Sequence, residues 1–119
     1  MIKLFFGCRK KNEDFIYETF LKEMEKEQLI ELNVAYSRDG DKKHYVQHLI
    51  REKGEELAEF LDENVGSVNI YVCGTATFMP EQVKNSLTQI LRDYYQEENK
   101  VKIFFDLLNK NKRYQVETW

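Results

Sequence analysis

An α/β fold, with a mostly parallel sheet of about four strands flanked by helices, follows from two observations on this 119-residue chain. Short apolar runs alternate with longer stretches whose apolar residues recur at i, i+3, i+4 and i+7, the order expected of βαβ units. The first and third runs end at a glycine and the second at a polar turn segment, the punctuation that stops a strand before a helix begins.

Ile2-Lys3-Leu4-Phe5-Phe6 reads as a buried strand closed by Gly7. Asn12 stands where it would cap a helix running from Glu13 to about Gln28, with Tyr17, Phe20, Leu21 and Met24 as its apolar stripe. The second strand runs from Ile30 to Tyr36. Val46, Leu49 and Ile50, then Leu57, Phe60 and Leu61, mark two helical stretches that Gly54 breaks or bends apart. Val68 to Cys73 is the third strand, ended by Gly74. A helix follows with Pro80 in its first turn, where a missing N–H costs nothing. Its buried face is Val83, Leu87, Ile90, Leu91 and Tyr94. Gln96 to Lys100 is charged without periodicity and reads as a solvated loop. Val101, Phe104, Phe105 and Leu108 make another short helix, and Tyr114 to Trp119 alternates like a strand. No internal repeat, linker or low-complexity segment is present.

The length fits one domain, residues 1–119. A net charge of −3 excludes general nucleic-acid binding, which needs a basic field. No apolar run approaches the roughly 20 residues of a membrane span, and no signal-peptide pattern follows Met1. Cys8 and Cys73 lie far apart in no metal-ligand spacing, which fits a reduced, cytoplasmic protein.

The segment after the second strand carries the most chemistry. It supplies Ser37, Arg38, Lys42, Lys43 and Tyr45 just where that strand must end. In an open α/β sheet, ligands sit outside the carboxyl ends of strands. There an acidic residue reads the ribose 2′-hydroxyl of NAD, and an Arg accommodates the 2′-phosphate of NADP. This segment has the second chemistry and points to NADP(H), with an ordinary solvated loop as the alternative. Three strand ends, Gly7-Cys8-Arg9, Ser37-Arg38 and Cys73-Gly74-Thr75, are expected along one rim, and the backbone N–H groups of Gly74, Thr75 and Ala76 would face an anion there. Cys73 is either a small core hydrophobe or a thiol in that crevice; Cys8 is read as packing. His44 and His48 have the i, i+4 spacing of two zinc ligands. However, Tyr45 stands where a metalloprotease helix carries Glu, and no third ligand is evident, so surface helix histidines and no metal are expected.

Several pieces together resemble a known family. They are Phe6-Gly7-Cys8-Arg9 with Glu13-Asp14-Phe15-Ile16-Tyr17, then Tyr36-Ser37-Arg38-Asp39, Tyr45-Val46-Gln47-His48, Tyr71-Val72-Cys73-Gly74 with Met79, and Arg113-Tyr114-Gln115-Val116-Glu117-Thr118-Trp119. In order and spacing they resemble the C-terminal part of the NADPH-binding module of the diflavin reductases, in the ferredoxin–NADP reductase superfamily. The resemblance covers nearly the whole chain and implies a Rossmann-like fold. It implies that Ser37, Arg38, Lys43 and Tyr45 grip the adenosine 2′-phosphate, that Gln47 adds an adenosine-side contact, and that Arg9 reaches the pyrophosphate. Cys73 and Glu117 resemble the pair flanking the nicotinamide during hydride transfer. Trp119 resembles the C-terminal aromatic that stacks on the flavin and moves aside. Charge-assisted hydrogen bonds contribute about 1.5–3 kcal/mol each, so two or three favour NADPH over NADH by a few orders of magnitude. The implied reaction takes hydride from NADPH to FAD and passes electrons through FMN to a redox protein acceptor. FAD and FMN would be held by other domains of the full reductase, not by this segment. The ending Tyr-Gln-Val-Glu-Thr-Trp points to the diflavin reductase of cytosolic iron–sulfur assembly, with cytochrome P-450 reductase as the alternative.

The chain departs from the family pattern in specific places. Glu117 replaces the usual Asp and is one methylene longer, and Thr75 stands where Asp is common. No G-x-G-x-x-G or G-x-G-x-x-P occurs in the 119 residues, so the pyrophosphate cradle is absent from them. The family's first strand, central in its sheet between those ending at Cys8 and Cys73, is also lacking, which would leave apolar strand edges unpaired. The expected outcomes are that the strands close up directly, that two chains dimerise across the gap, or that the polypeptide is a fragment of a longer reductase. The segment is not expected to turn over alone, and a non-catalytic NADP(H)-binding fragment is the competing reading. A flavodoxin-like signalling domain would need an acidic cluster at the first strand end, and none is there.

Overall fold

The computed structural model describes residues 2–8, 18–36, 44–74 and 79–118. They fall into two compact units, Met1–Leu49 and Ile50–Trp119.

In the first unit β1 (Ile2–Cys8) pairs in parallel with β2 (Ile30–Tyr36), in register from Ile2 opposite Ile30 to Cys8 opposite Tyr36. The two strands therefore end level. Register partners Lys3 and Glu31 form an ion pair at 2.9 Å, and the buried Asn33 amide donates to the same carboxylate at 3.3 Å. That polar ladder accounts for the charged residues within apolar strands, since each buried polar group has a partner.

The crossover helix α1 (Glu18–Lys26) packs on β2 and carries Glu18 in its first turn and Lys26 in its last, the charge order its dipole favours. It ends at Lys26, and Gln28, with a left-handed φ of 62°, then turns the chain into β2. The capping residue expected at Asn12 lies outside the described residues. The apolar stripe is less covered than its spacing predicts. Leu21 and Met24 are half-buried, but Phe20 is 59% exposed. Two strands lie only about 4.8 Å apart, too narrow a platform for the whole apolar stripe of a helix roughly 10 Å wide.

The helix α2 (Val46–Glu52) is separated by Lys53 from α3 (Gly54–Glu63), which opens at the glycine expected to divide them. A Cβ at Gly54 would lie 2.9 Å from Ile90 Cγ2, so the glycine also lets α3 approach α4 (Met79–Tyr95). The second unit continues with β3 (Ile70–Gly74), then α4, α5 (Glu98–Lys110) and β4 (Tyr114–Thr118). β3 and β4 are parallel, from Ile70 opposite Tyr114 to Gly74 opposite Thr118. β3 starts two residues later than its sequence suggests. Val68 N–H instead closes a turn on the Asn64 carbonyl at 2.7 Å, and Arg113 Nη1 donates to the Val65 and Val68 carbonyls at 2.8 and 3.2 Å.

The core of this unit joins Leu57, Ala58 and Leu61 with Val72, Val83, Leu87, Ile90, Leu91, Val101, Phe104, Phe105 and Leu108. Fully buried Ser86 is satisfied by Arg51 Nε at 3.0 Å. Tyr94, expected on the buried face, is 39% exposed; its neighbour Tyr95 turns inward instead and donates to Asp62 Oδ1 at 2.7 Å. The solvated loop expected over Gln96 to Lys100 shrinks to Gln96 and Glu97. Arg92 grips Glu98 with two hydrogen bonds, at 2.6 and 2.9 Å, and this fork starts α5 at Glu98.

Each described strand pair is parallel, as expected, but the strands form two two-stranded sheets, β1–β2 and β3–β4. Direct closing-up of the strand ending at Cys8 onto the one ending at Cys73 is not found among the described residues. Among them, no helix is long and apolar enough to cross a membrane.

Candidate functional site

In the first unit the candidate site begins where β1 and β2 end. Gly7 stands opposite Ala35 and Cys8 opposite Tyr36, so two of the three strand ends predicted to share a rim lie side by side. A Cβ on Gly7 would come within 3.1 Å of Val46 Cγ2. The first residue of α2 thus rests against bare backbone at the end of β1, which brings Tyr45 and Gln47 to this rim. Glycine is needed here for close approach, not for an unusual φ.

Tyr45 is anchored by its backbone. Its carbonyl accepts from the N–H groups of His48 at 3.0 Å and Leu49 at 3.1 Å, while its own N–H donates to His48 Nδ1 at 3.0 Å. The phenol stays 38% exposed, with its ring 5.5 Å from that of His48; Gln47 is half-buried. His44 precedes α2 instead of lying on it, and its ring stacks on His48 at 6.1 Å. The reading of both histidines as helix residues is corrected by this start at Val46. No cluster of three metal-ligating side chains occurs among the described residues. Arg9, Ser37, Arg38, Lys42 and Lys43 lie outside the described residues.

The second unit brings two other predicted residues together. Cys73 and Glu117 are register partners at the ends of β3 and β4. Alternation puts Tyr71, Cys73, Gln115 and Glu117 on one face, all exposed. Val72 points the other way, 6% exposed, in the core with α4 and α5. This overturns the reading of Cys73 as a core hydrophobe: alternation sends Val72 inward, so the free thiol is exposed. Both residues border an open depression of about 290 Å³ with Tyr71, Val72, Gln115 and Val116. Gly74 has no room for a side chain, because a Cβ would run into Met79 Cε at the start of α4. Thr75, Ala76 and Trp119 lie outside the described residues.

A thiol and a carboxylate one strand apart, on a flat exposed face at the ends of parallel strands, can flank a planar ring and offer it hydrogen-bonding groups from one side. One contact beside this rim escaped the sequence reading, the bond from the Tyr45 N–H to His48 Nδ1. Its signal is the spacing of a capping box, with His in place of the usual Glu or Gln.

The oxidoreductase NAD-binding domain family matches residues 1–85. The chain is 38% identical over 118 residues to NADPH–cytochrome P450 reductase of Drosophila melanogaster, covering 98% of this chain and 17% of that protein. It is 38% identical over 124 residues to NADPH-dependent diflavin oxidoreductase 1 of Schizosaccharomyces pombe, covering 98% and 20%. Over 117 residues it is 35% identical to NADPH oxidoreductase A of Dictyostelium discoideum, covering 98% and 18%. The chain thus spans about a fifth of the length of the relatives it matches. It belongs to the oxidoreductase NAD-binding domain family and, within it, to the NADPH-binding module of the diflavin reductases.

Proposed function

We propose that this chain is the NADP(H)-recognising portion of a diflavin reductase that takes hydride from NADPH to FAD and sends electrons through FMN to a redox protein acceptor. The observation that carries this reading is the register pair Cys73–Glu117. Two residues distant in sequence, each implied by resemblance to flank the nicotinamide, stand opposite one another at the carboxyl ends of neighbouring strands, where α/β sheets bind ligands.

Ser37, Arg38, Lys43 and Tyr45 hold the 2′-phosphate, Gln47 contacts the adenosine, and Arg9 reaches the pyrophosphate. Gly74 and Thr75 present backbone N–H groups to the anionic ligand. Cys73 and Glu117 flank the nicotinamide, and Trp119 covers the flavin until the nicotinamide enters. Bound NADPH supplies the hydride; the flavins and the FAD domain belong to the remainder of the reductase. The acceptor is a protein of cytosolic iron–sulfur assembly, or a cytochrome P450 in the alternative, and the setting is cytoplasmic.

A second reading is a binding module without turnover, holding the adenosine end of NADP(H) through the segment from Ser37 to Gln47. Two chains pairing through open strand edges would fit that case. Titrating NADPH and NADH against the purified chain and its Arg38→Ala variant tests the proposal. A preference for NADPH of roughly a hundredfold or more, lost in Arg38→Ala, is expected. Equal or undetectable binding of both nucleotides would sink it. Flavin absorbance in the purified chain would count against the module without turnover, and a monomer by sedimentation against the pairing.

A further inference from the structure

We propose that His48 is a positioning residue for 2′-phosphate recognition, acting through Tyr45. This rests on the reading of Tyr45 as part of the phosphate grip and adds to it the group that sets where Tyr45 sits.

α2 begins at Val46, which makes Tyr45 its N-cap and His48 the third helical residue. An N-cap residue has its carbonyl inside the helix ladder while its own N–H is left without a helical partner. Here His48 Nδ1 accepts that N–H at 3.0 Å. The backbone amide can only donate, so Nδ1 is the acceptor in this contact. Together with the two N–H groups donating to its carbonyl, this ties Tyr45 at both ends of its peptide frame. Few freedoms then remain to the phenol beyond its own side-chain rotations.

The ring contacts support the same role. The His48 ring meets that of Tyr45 at 5.5 Å with a 39° tilt and that of His44 at 6.1 Å, nearly parallel. His48 is thus in ring contact with the two residues that lead the chain into α2. Without the Nδ1 acceptor, Tyr45 loses the bond that fixes its amide, and the phenol spreads over more positions. Binding then loses the advantage of a grip ordered before the ligand arrives.

NADP⁺ and NAD⁺ are titrated calorimetrically against the full 119-residue chain and its His48→Phe, His48→Gln and Arg38→Ala variants, with circular dichroism confirming the fold of each. His48→Phe keeps a ring but has no acceptor, and NADP⁺ binding should weaken about fivefold (~1 kcal/mol). NAD⁺ binding should stay unchanged. His48→Gln restores a capping acceptor and should lie within about twofold of the parent. If Arg38→Ala abolishes the preference for NADP⁺ while His48→Phe matches the parent, the role of His48 is overturned and the NADP(H) reading stands. If Gln and Phe weaken binding equally, the effect is structural and the role is likewise overturned. If the parent shows no preference for NADP⁺, or Arg38→Ala keeps it, the NADP(H) reading falls and takes this proposal with it.

Discussion

Replacing Gly7 with Ala probes how closely the end of β1 holds α2. The new Cβ lands 3.1 Å from Val46 Cγ2, a few tenths of an ångström inside ordinary contact. Val46 has little freedom to rotate away, because a β-branched side chain in a helix keeps one strongly preferred χ1. The strain therefore passes to the first turn of α2. Overpacking of this kind costs about 1–3 kcal/mol; the small overlap and the half-buried setting of Val46 put the cost near the low end, about 1 kcal/mol. Replacing Gly by Ala also returns roughly 0.4–1 kcal/mol by restricting the unfolded chain. The two effects nearly cancel, so the stability of the single variant decides nothing. A double-mutant cycle does. Val46→Ala removes Cγ2, and in that background Gly7→Ala keeps its entropic gain without the clash. Urea denaturation of the four proteins should give a coupling energy of about 1 kcal/mol, against about 0.3–0.5 kcal/mol for independent sites. NADP⁺ titration of the same four should show weaker binding in Gly7→Ala and recovery in the double variant, since Tyr45 and Gln47 move with Val46. Coupling no larger than that of independent sites would refute the close approach that brings α2 to the end of β1.

Two further outcomes concern the second unit. Leu91 is fully buried, so Leu91→Ala should lower stability by about 3 kcal/mol through lost burial and a residual cavity; a urea midpoint close to the parent's would contradict the core described for α4. Burial, then the bond to Asp62, pushes the Tyr95 phenol above its ordinary range, and burial alone raises Tyr114. The fold thus favours both neutral phenols. Their contribution is complete below the unfolded value of about 10 and fades as pH rises from there through the raised folded values. The urea midpoint should accordingly fall above about pH 10, and less steeply in Tyr95→Phe. An unchanged slope in that variant would remove Tyr95 from the explanation.

Much of this architecture was legible in the residue pattern, for local reasons. β2 runs from Ile30 to Tyr36 as its apolar run predicts, Pro80 sits in the first turn of α4, and all four apolar residues expected inside α5 are buried. The departures have a common cause. Periodicity defines which face of a helix is apolar but not how wide a surface it meets, so Phe20 and Tyr94 remain exposed while Tyr95 turns inward. The fork between Arg92 and Glu98 joins two helices, and no local pattern announces that it extends α5 toward its N-terminus. Cys73 was ambiguous between core and crevice until the register opposite Glu117 and the burial of Val72 fixed its face. The bond between Tyr45 and His48 was visible only as a spacing, since imidazole is an uncommon acceptor at that position of a capping box.

The most direct test of the central claim is to map amide chemical shifts of the ¹⁵N-labelled chain while adding 2′,5′-ADP, and separately 5′-AMP, which lacks the 2′-phosphate. Saturable shifts with 2′,5′-ADP are expected, concentrated from Ser37 to His48, with much smaller shifts for 5′-AMP at the same concentration. Equal responses to both nucleotides, or shifts that leave that segment unmoved, would contradict an NADP(H) site at the end of β2.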